Sequence, residues 1–298
     1  MIKRIVDISE QAYIHIKHQQ LLIDKEGETI GQIPIEDLGV LILQHPAIVI
    51  TQTVIIACQQ NNVAIVFCDE RHLPYSVILP VSDGHTLHQK VMRLQIKAKK
   101  PVAKRIWKQI VQQKIIEQEK TLSLAGTDTA ILGRLALKVK SGDTENHEAQ
   151  AAQHYWPRLF GKSFRRNHET AGVNTLLNYG YAVVRALVAR AIVASGLHPA
   201  IGIHHHNQYN ALCLADDLME PFRPWVDWLV YQIWIANKKV EIDKDTKQII
   251  LGLLSETVRI NKKTMPMMIA CHYLVADFKR CLDGSLENIK YPVLASRV

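Results

Sequence analysis

Residues 173–195 read VNTLLNYGYAVVRALVARAIVAS, and this stretch gives the clearest fold signal in the chain. Its apolar residues recur at helical spacing along one side: Leu176, Leu177, Val183, Val184, Leu187 and Val188. Gly196 suits the C-terminal cap of such a helix, and Pro199 prevents the helix from continuing. Four polar residues interrupt the stretch: Asn174, Asn178, Arg185 and Arg190. Because a bilayer core rejects such side chains, we predict a long helix within the protein and no membrane span.

On either side of this helix the hydrophobic pattern differs. From about residue 87 onward apolar residues follow helical spacings, with Pro101 breaking or kinking one run. Before residue 80 short apolar runs rich in β-branched residues alternate with turns, and Gly27 can supply the positive φ of one turn. We therefore predict an α+β protein, with a β-rich N-terminal domain (1–80), a linker (81–89) and a larger all-α C-terminal domain (90–298).

Composition excludes several classes of protein. The chain has 298 residues, 48% of them hydrophobic and 21% charged, which argues against a disordered, collagen-like or disulfide-scaffold chain. Its five cysteines are odd in number and form no CxxC pair: Cys58, Cys68, Cys213, Cys271 and Cys281. They are predicted to be reduced thiols in a cytoplasmic protein.

The positive charge of the chain is concentrated in one segment. Residues 90–120 contain ten basic residues against two acidic ones, and this surplus equals the formal net charge of +8. A second basic cluster lies at 158–166. A solvated helix face is the alternative, but two clusters favour contact with the phosphates of a nucleic acid. The candidate DNA-contacting residues are Lys97, Lys100, Arg105, Lys108, Arg165 and Arg166.

Three polar features of the helical half are candidates for chemistry. Glu148 follows His147, but Ala151 stands where a zincin HExxH motif requires histidine. The triple histidine 204–206 follows Gly202, so we predict that it lies on an ordered loop. Asp217 and Glu220 are three residues apart and share a face if that segment is helical.

Each of these features also has an ordinary structural explanation: a surface glutamate, surface histidines and an acidic first turn of a helix. Taken together, carboxylates and an imidazole form a mixed oxygen and nitrogen set that suits Mg²⁺ or Mn²⁺. Such a cation polarises a phosphoryl group and assists the entering or leaving oxygen, which is the chemistry of phosphodiester cleavage and transfer.

Several segments, in the right order, resemble the CRISPR-associated integrase family, the universal adaptation protein ("Cas-one"). In the helical half they are ENHEAQAA (145–152), NTLLNYGYAVVR (174–185), GIHHHNQYN (202–210) and LADDLMEPFRP (214–224). In the first half they are IPIEDLGVLIL (33–43) and VAIVFCD (63–69). The resemblance covers essentially the whole chain, and its histidine and Ala-Asp-Asp-Leu motifs are most similar to members from type II systems, of the compact II-C branch.

The resemblance implies a β-sandwich-like N-terminal domain for dimerisation and partner contacts, and a helical catalytic domain. It places the metal ligands at Glu148, His205 and Glu220, with Asp217 in a supporting catalytic position. It implies joining of protospacer 3′-OH ends to the repeats of a CRISPR array by transesterification, and DNA cleavage with water as nucleophile. It also implies a prokaryotic homodimer, two copies of which flank a dimer of a small partner ("Cas-two") in a heterohexamer.

Two other functions remain compatible with the residues. One is a metal-dependent DNA nuclease that works without a partner, and the other is a non-catalytic DNA-binding scaffold. The first is distinguished by its activity on branched or half-integrated DNA. The second is distinguished by its tolerance to loss of all three candidate ligands.

Overall fold

The computed structural model describes residues 3–80, 87–237, 240–260 and 262–295. In the first of these ranges the elements are β1 (Arg4–Ile8), β2 (Tyr13–Lys17), β3 (Gln20–Lys25), β4 (Glu28–Pro34), β5 (Leu38–Leu43), β6 (Val49–Ile50), α1 (Gln52–Gln60), β7 (Ala64–Cys68) and β8 (Pro74–Ile78). Gly27 has a φ of 88° in the turn between β3 and β4, as the sequence predicts. Pro74 opens the edge strand β8.

The strands of this region form two sheets. One has the order β1-β5-β7-β8 and the other β4-β3-β2-β6. Apolar residues of the two sheets and of α1 enclose a core that includes Ile14, Leu21, Leu41 and Val54. The prediction of a β-rich N-terminal region is therefore confirmed. The predicted boundary stays a prediction, because residues 81–86 of the linker lie outside the described residues.

The remaining described residues are mainly helical. They form α2 (His88–Ile96), α3 (Lys100–Leu124), α4 (Ala130–Lys138), α5 (His147–Phe160), α6 (Val173–Ala194), α7 (Cys213–Met219), α8 (Arg223–Asn237), α9 (Lys244–Gly252), β9 (Thr257–Ile260), β10 (Lys263–Pro266), α10 (Met267–Asp283) and β11 (Val293–Leu294). The α+β fold is thus confirmed, with one correction to the all-α description. A small sheet of order β10-β9-β11 accompanies the helices, because the segment after α9 contains a hairpin with Lys262 at φ 63°. Pro101 begins α3 and does not kink it, because the first turn needs no proline N–H.

Helix α6 lies at the centre of the helical region. It is long and apolar enough to cross a membrane by length and composition, but 83% of its most apolar 18-residue window is buried inside the protein. At Gly180 an added Cβ would lie 2.4 Å from Val226 Cγ1, so the glycine lets α8 approach closely. Gly196 follows the end of α6 with a φ of 78°, as predicted. The helix is therefore the core element that the sequence indicates.

Strand β5 joins the two regions through its alternating side chains. Leu41 and Leu43 belong to the core between the two N-terminal sheets. Val40 and Ile42 belong to the core of the helical region. Because successive side chains of a strand point to opposite faces, one strand contributes to both cores.

Candidate active site

Two carboxylates of the helical region converge on one lysine side chain. Lys114 projects from the middle of α3, and 12% of its side chain is exposed. Its Nζ lies 2.6 Å from Glu148 Oε1 and 2.5 Å from Glu220 Oε2. Burial lowers the pKa of the lysine, but Glu220 and Glu148 outweigh burial and the net shift is upward. The three side chains therefore form a partly buried cluster of two negative groups around one positive group.

Glu148 is positioned by the beginning of α5. The carboxylate of Asp143 accepts hydrogen bonds from the backbone N–H groups of His147 (2.9 Å) and Glu148 (3.0 Å). These are two of the N–H groups that have no partner within a helix, so Asp143 caps α5. Ala151, which replaces the zincin histidine, is fully buried in the core. Glu148 is therefore fixed at its backbone, while its side chain reaches Lys114.

Glu220 begins a short 3-10 turn, Glu220–Phe222, between α7 and α8. The Nε of Arg223 donates to Glu220 Oε1 at 2.8 Å, and Lys114 contacts the other oxygen. Burial alone raises the pKa of Glu220, but Arg223 and Lys114 outweigh it and lower that pKa to about 2. Glu220 is therefore an ionised carboxylate held on both oxygens.

Asp217 organises the triple-histidine loop. Its side chain is fully buried, and it accepts hydrogen bonds from the backbone N–H groups of Ile203 (2.7 Å), His204 (3.2 Å) and His205 (3.1 Å). Gly202 makes this possible, because an added Cβ there would lie 2.4 Å from His205 O and 2.8 Å from Asp217 Oδ2. The prediction of an ordered loop is confirmed by these contacts.

The ring of His205 is oriented by the same carboxylate. Its Nδ1 lies 2.7 Å from Asp217 Oδ1, and this hydrogen bond is the main reason that the pKa of His205 is raised. An ionised carboxylate only accepts, so Nδ1 donates and leaves Nε2 as the lone-pair nitrogen of the neutral ring. Glu220 also raises the pKa of His205, which places the ring and that carboxylate within electrostatic reach.

Trp107 supports the loop from α3. Its ring is stacked on His204 with centroids 3.9 Å apart and lies edge-on to His205 at 5.8 Å. Only 2% of Trp107 is exposed. Although it stands among the charges of the basic segment, it packs beneath the histidines and presents no face to solvent. His206 lies on the other side of the loop and is exposed.

A buried polar network continues behind Glu220. The guanidinium of Arg223 lies 4.6 Å from the ring centroid of Tyr181, and Tyr181 donates its hydroxyl to Asp227. Tyr155 donates to the other oxygen of Asp227 at 2.9 Å. Burial raises the pKa of Asp227 to about 6. The network fixes Arg223, which in turn holds Glu220.

The types of donor atom at this site are those that a hard divalent cation binds. Glu148 and Glu220 already share a cationic group, and His205 offers a nitrogen whose ring partner is fixed by Asp217. Carboxylate oxygens and neutral imidazole are ligands of Mg²⁺ and Mn²⁺. In the part of the chain that the structure describes, no three His, Cys, Asp or Glu side chains are close enough together to hold a metal ion. The carboxylates are instead arranged around the Lys114 ammonium.

The predicted DNA-contacting residues fall into two groups. Lys97, Lys100 and Arg165 are exposed, while Arg105 and Lys108 are half-buried. Lys100 borders a groove of about 600 Å³ together with His206 and Asn207, so this part of the basic segment adjoins the histidine loop. Arg166 instead donates to Asn174 (2.9 Å) and Asn178 (2.6 Å), and it is committed to contacts within the protein.

The cysteines are free thiols, and Cys213 alone among them borders the groove at the histidine loop in the described structure. Cys58, Cys213, Cys271 and Cys281 are buried. Burial raises the pKa of Cys58 and Cys271 to about 12 and that of Cys281 to about 11. A thiol with a raised pKa is a poor nucleophile at neutral pH, so these side chains behave as small apolar groups.

Sequence reasoning missed four residues of the site: Lys114, Trp107, Asp143 and Arg223. Lys114 has a signal that could have found it, because it lies four residues after Ile110 and eight after Ile106. A lysine at that spacing falls on the apolar side of its helix. Asp143 and Arg223 have local signals too, because Asp143 accepts from the backbone N–H groups four and five residues later and Arg223 stands three residues after Glu220.

The sequences that resemble this chain are those of CRISPR-associated proteins. A family model described as CRISPR associated protein Cas1 matches residues 6–261. The chain is also 35% identical, over 94% of its length and 92% of the relative, to a CRISPR-associated endonuclease Cas1 of Neisseria meningitidis. The chain therefore belongs to the Cas1 family.

Two solved structures share the fold at low sequence identity. One, described as a casposase bound to integration product, is 19% identical with a TM-score of 0.77 and covers 97% of this chain and 92% of its own. The other, a Cas6-RT-Cas1–Cas2 complex, is 16% identical with a TM-score of 0.75 and covers 96% of this chain and 35% of its own. This fold is therefore shared by proteins whose sequences are less than 20% identical to that of this chain.

Proposed function

We propose that this Cas1-family chain is a CRISPR adaptation integrase, which joins the 3′-OH ends of protospacer DNA to the repeat boundaries of a CRISPR array. The reaction is a metal-dependent transesterification, and hydrolytic DNA cleavage is the same chemistry with water as nucleophile. The observation that carries the proposal is the convergence of Glu148 and Glu220 on one cationic group, beside the Asp217-oriented His205.

In this proposal Glu148, His205 and Glu220 hold Mg²⁺ or Mn²⁺. When bound, the cation supplies polarisation of the phosphoryl group and stabilisation of charge on the entering and leaving oxygens. Asp217 keeps the His205 ring in the orientation that presents Nε2. Arg223 holds one oxygen of Glu220 and so limits the movement of that carboxylate.

The proposed substrates and partners follow from the basic surface and from the relatives. Lys100 borders the groove at the histidine loop, and Lys97 is exposed three residues before it, so both are available to DNA phosphates. One structural neighbour is a complex that contains Cas2, which supports a small Cas2-type partner. We propose a homodimer, with two dimers bridged by one partner dimer, in a prokaryotic cytoplasm. The histidine and Ala-Asp-Asp-Leu motifs support subtype II-C.

The test is an integration assay with supercoiled array DNA and protospacer DNA, with and without the small partner. Glu148→Gln, His205→Ala and Glu220→Gln should each abolish strand transfer, because an open metal site depends on every ligand. Glu145→Gln is a matched control, since this exposed carboxylate lies one turn from Glu148 and pairs with Lys140.

Three other outcomes contradict the proposal. Folded ligand variants with near-normal strand transfer reject the ligand assignment. Cleavage of branched or half-integrated DNA without strand transfer, at the same level with and without the partner, identifies a stand-alone nuclease. DNA binding without any reaction, unchanged in all three variants, identifies a scaffold.

A further inference from the structure

Lys114 is the one basic side chain of the segment 90–120 whose ammonium lies between Glu148 and Glu220 in the described structure. Of the other basic residues of α3, Lys100 and Lys104 are exposed, and Arg105, Lys108 and Lys120 are half-buried. Placing a lysine there lets two carboxylates approach the same point without mutual repulsion. General contact with DNA does not explain why the Lys114 ammonium lies between two carboxylates.

The contacts around Lys114 make it the link between the two carboxylates. Arg223 occupies Glu220 Oε1, and Lys114 occupies Glu220 Oε2 and Glu148 Oε1. Arg223 therefore remains paired with Glu220 whatever Lys114 does. The oxygens that Lys114 contacts are those that would turn to a metal ion in the proposed site.

An ammonium and a divalent cation cannot share these oxygens in the present arrangement. Carboxylate oxygens bind Mg²⁺ at about 2.0–2.1 Å, with the cation between them. The Nζ of Lys114 stands at 2.5–2.6 Å from the same two oxygens. Lysine has a flexible four-carbon stem, so its charged end can leave this point while its backbone stays in α3.

We propose that Lys114 is a positioning residue that acts as the resident counter-ion of Glu148 and Glu220, and that a divalent cation binds by displacing its ammonium. The inference rests on the proposed function in taking these two carboxylates as cation ligands. Lys114 keeps the carboxylates paired in metal-free protein, and the same contact weakens metal affinity until the ammonium moves.

The experiment measures Mn²⁺ binding to the DNA-free full-length chain by calorimetry and by the electron paramagnetic resonance signal of free Mn²⁺. Lys114→Met removes the competing charge and should bind Mn²⁺ about tenfold more tightly or better, since two charge-assisted contacts no longer compete. Lys114→Arg keeps a positive charge and should bind no more tightly than the wild type. In EDTA Lys114→Met should melt at a lower temperature, and Mn²⁺ should raise its Tm more than that of the wild type.

A second measurement follows the wild-type chain and uses a variant only to assign the resonance. With ¹³C-labelled lysine, the Cε resonance of Lys114, identified by its loss in Lys114→Arg, should shift on addition of Mg²⁺. A resonance that stays in place while Mg²⁺ binds overturns the inference.

The outcomes separate this inference from the proposed function. Equal or weaker Mn²⁺ binding by folded Lys114→Met, with normal binding by the wild type, overturns the inference and leaves the metal site standing. Absence of binding in both proteins overturns the inference and the metal-dependent function together. Tighter binding that disappears in a Lys114→Met, Glu220→Gln double variant supports both.

Discussion

Gly202 is the residue on which the histidine loop depends most directly. A methyl group there meets His205 O at 2.4 Å and Asp217 Oδ2 at 2.8 Å, so the loop has to move. We predict that Gly202→Ala lowers strand-transfer activity about a hundredfold, the usual cost of displacing a reacting group by about 1 Å. The measurement is the initial rate of integration, with circular dichroism to show that the chain is folded.

Gly252→Ala is the control for this prediction. Gly252 ends α9, and an added Cβ meets no atom within 4 Å. We expect unchanged activity and a stability equal to the wild type or about 0.5–1 kcal/mol higher. Equal activity of the two alanine variants contradicts the role given to Gly202.

Asp227 makes the stability of the protein depend on pH. Burial raises its pKa from 3.8 to about 6, although Tyr181 and Tyr155 donate hydrogen bonds to it. The folded protein therefore binds this proton more tightly than the unfolded chain, and stability that is present below pH 3.8 is lost as the pH rises through 6. The difference corresponds to about 3 kcal/mol.

Comparison with Asp227→Asn isolates this contribution. Urea unfolding between about pH 4 and pH 7 should show the free energy of unfolding of the wild type falling relative to that of the variant. Asp128→Asn, at an exposed carboxylate, should run parallel to the wild type. Parallel curves for Asp227→Asn exclude a raised pKa at this position.

At the scale of elements, two caps on helices offer a matched comparison. Asp143 caps α5, which carries Glu148, and Asp243 caps α9 through Thr246 N at 2.8 Å. We predict that Asp143→Ala and Asp243→Ala each cost about 1 kcal/mol of stability. Only Asp143→Ala should lower the strand-transfer rate, because it loosens the turn that positions a proposed ligand. Equal activity loss in both variants, measured beside their unfolding curves, contradicts this.

The elements also show how far the sequence predicts this protein. Helix α6 and its end are predicted well, because its apolar spacing, Gly196 and Pro199 are local signals. The small sheet β10-β9-β11 is missed, because β9 and β10 have four residues each and β11 has two. Such short strands carry little periodicity of their own.

The candidate site divides in a similar way. Glu148, His205 and Glu220 stand in motifs that can be read from the sequence, and their ligand role stays a prediction. The contacts of Lys114 with Glu148 and Glu220, and of Arg223 with the Tyr181 ring, depend on how the helices pack, which spacing along the chain does not give. For Arg166 DNA contact stays a prediction, and a basic cluster in sequence does not reveal that Asn174 and Asn178 bind its guanidinium.

At the scale of the whole molecule, the distribution of charge predicts how DNA binding responds to salt. If Lys97 and Lys100 each contact one phosphate, replacing both by Glu should make the slope of log affinity against log salt shallower by roughly 1.8, at about 0.9 per contact. Unrelated DNA sequences should be affected alike, since phosphate contacts do not read bases.

Lys262→Glu with Lys263→Glu is the matched control for this charge reversal. These two lysines are also exposed, at the hairpin between β9 and β10. The slope is measured by fluorescence anisotropy with duplex DNA over a range of salt concentrations. If the slope is unchanged when Lys97 and Lys100 are replaced, these two lysines are solvated and do not contact DNA phosphates.

Strand β5 has a consequence for how this chain tolerates change over generations. Its side chains alternate between two cores, so a shift of one residue would exchange Val40 and Ile42 with Leu41 and Leu43. Exchange of one apolar side chain for another disturbs one core at a time, whereas an inserted or deleted residue mismatches both. Val40 and Ile42 share their core with the apolar residues of α6. The same helix carries Arg185, which donates to Asp216. We therefore expect that an insertion in this strand disturbs both cores at once, so the strand can drift in composition but not in length.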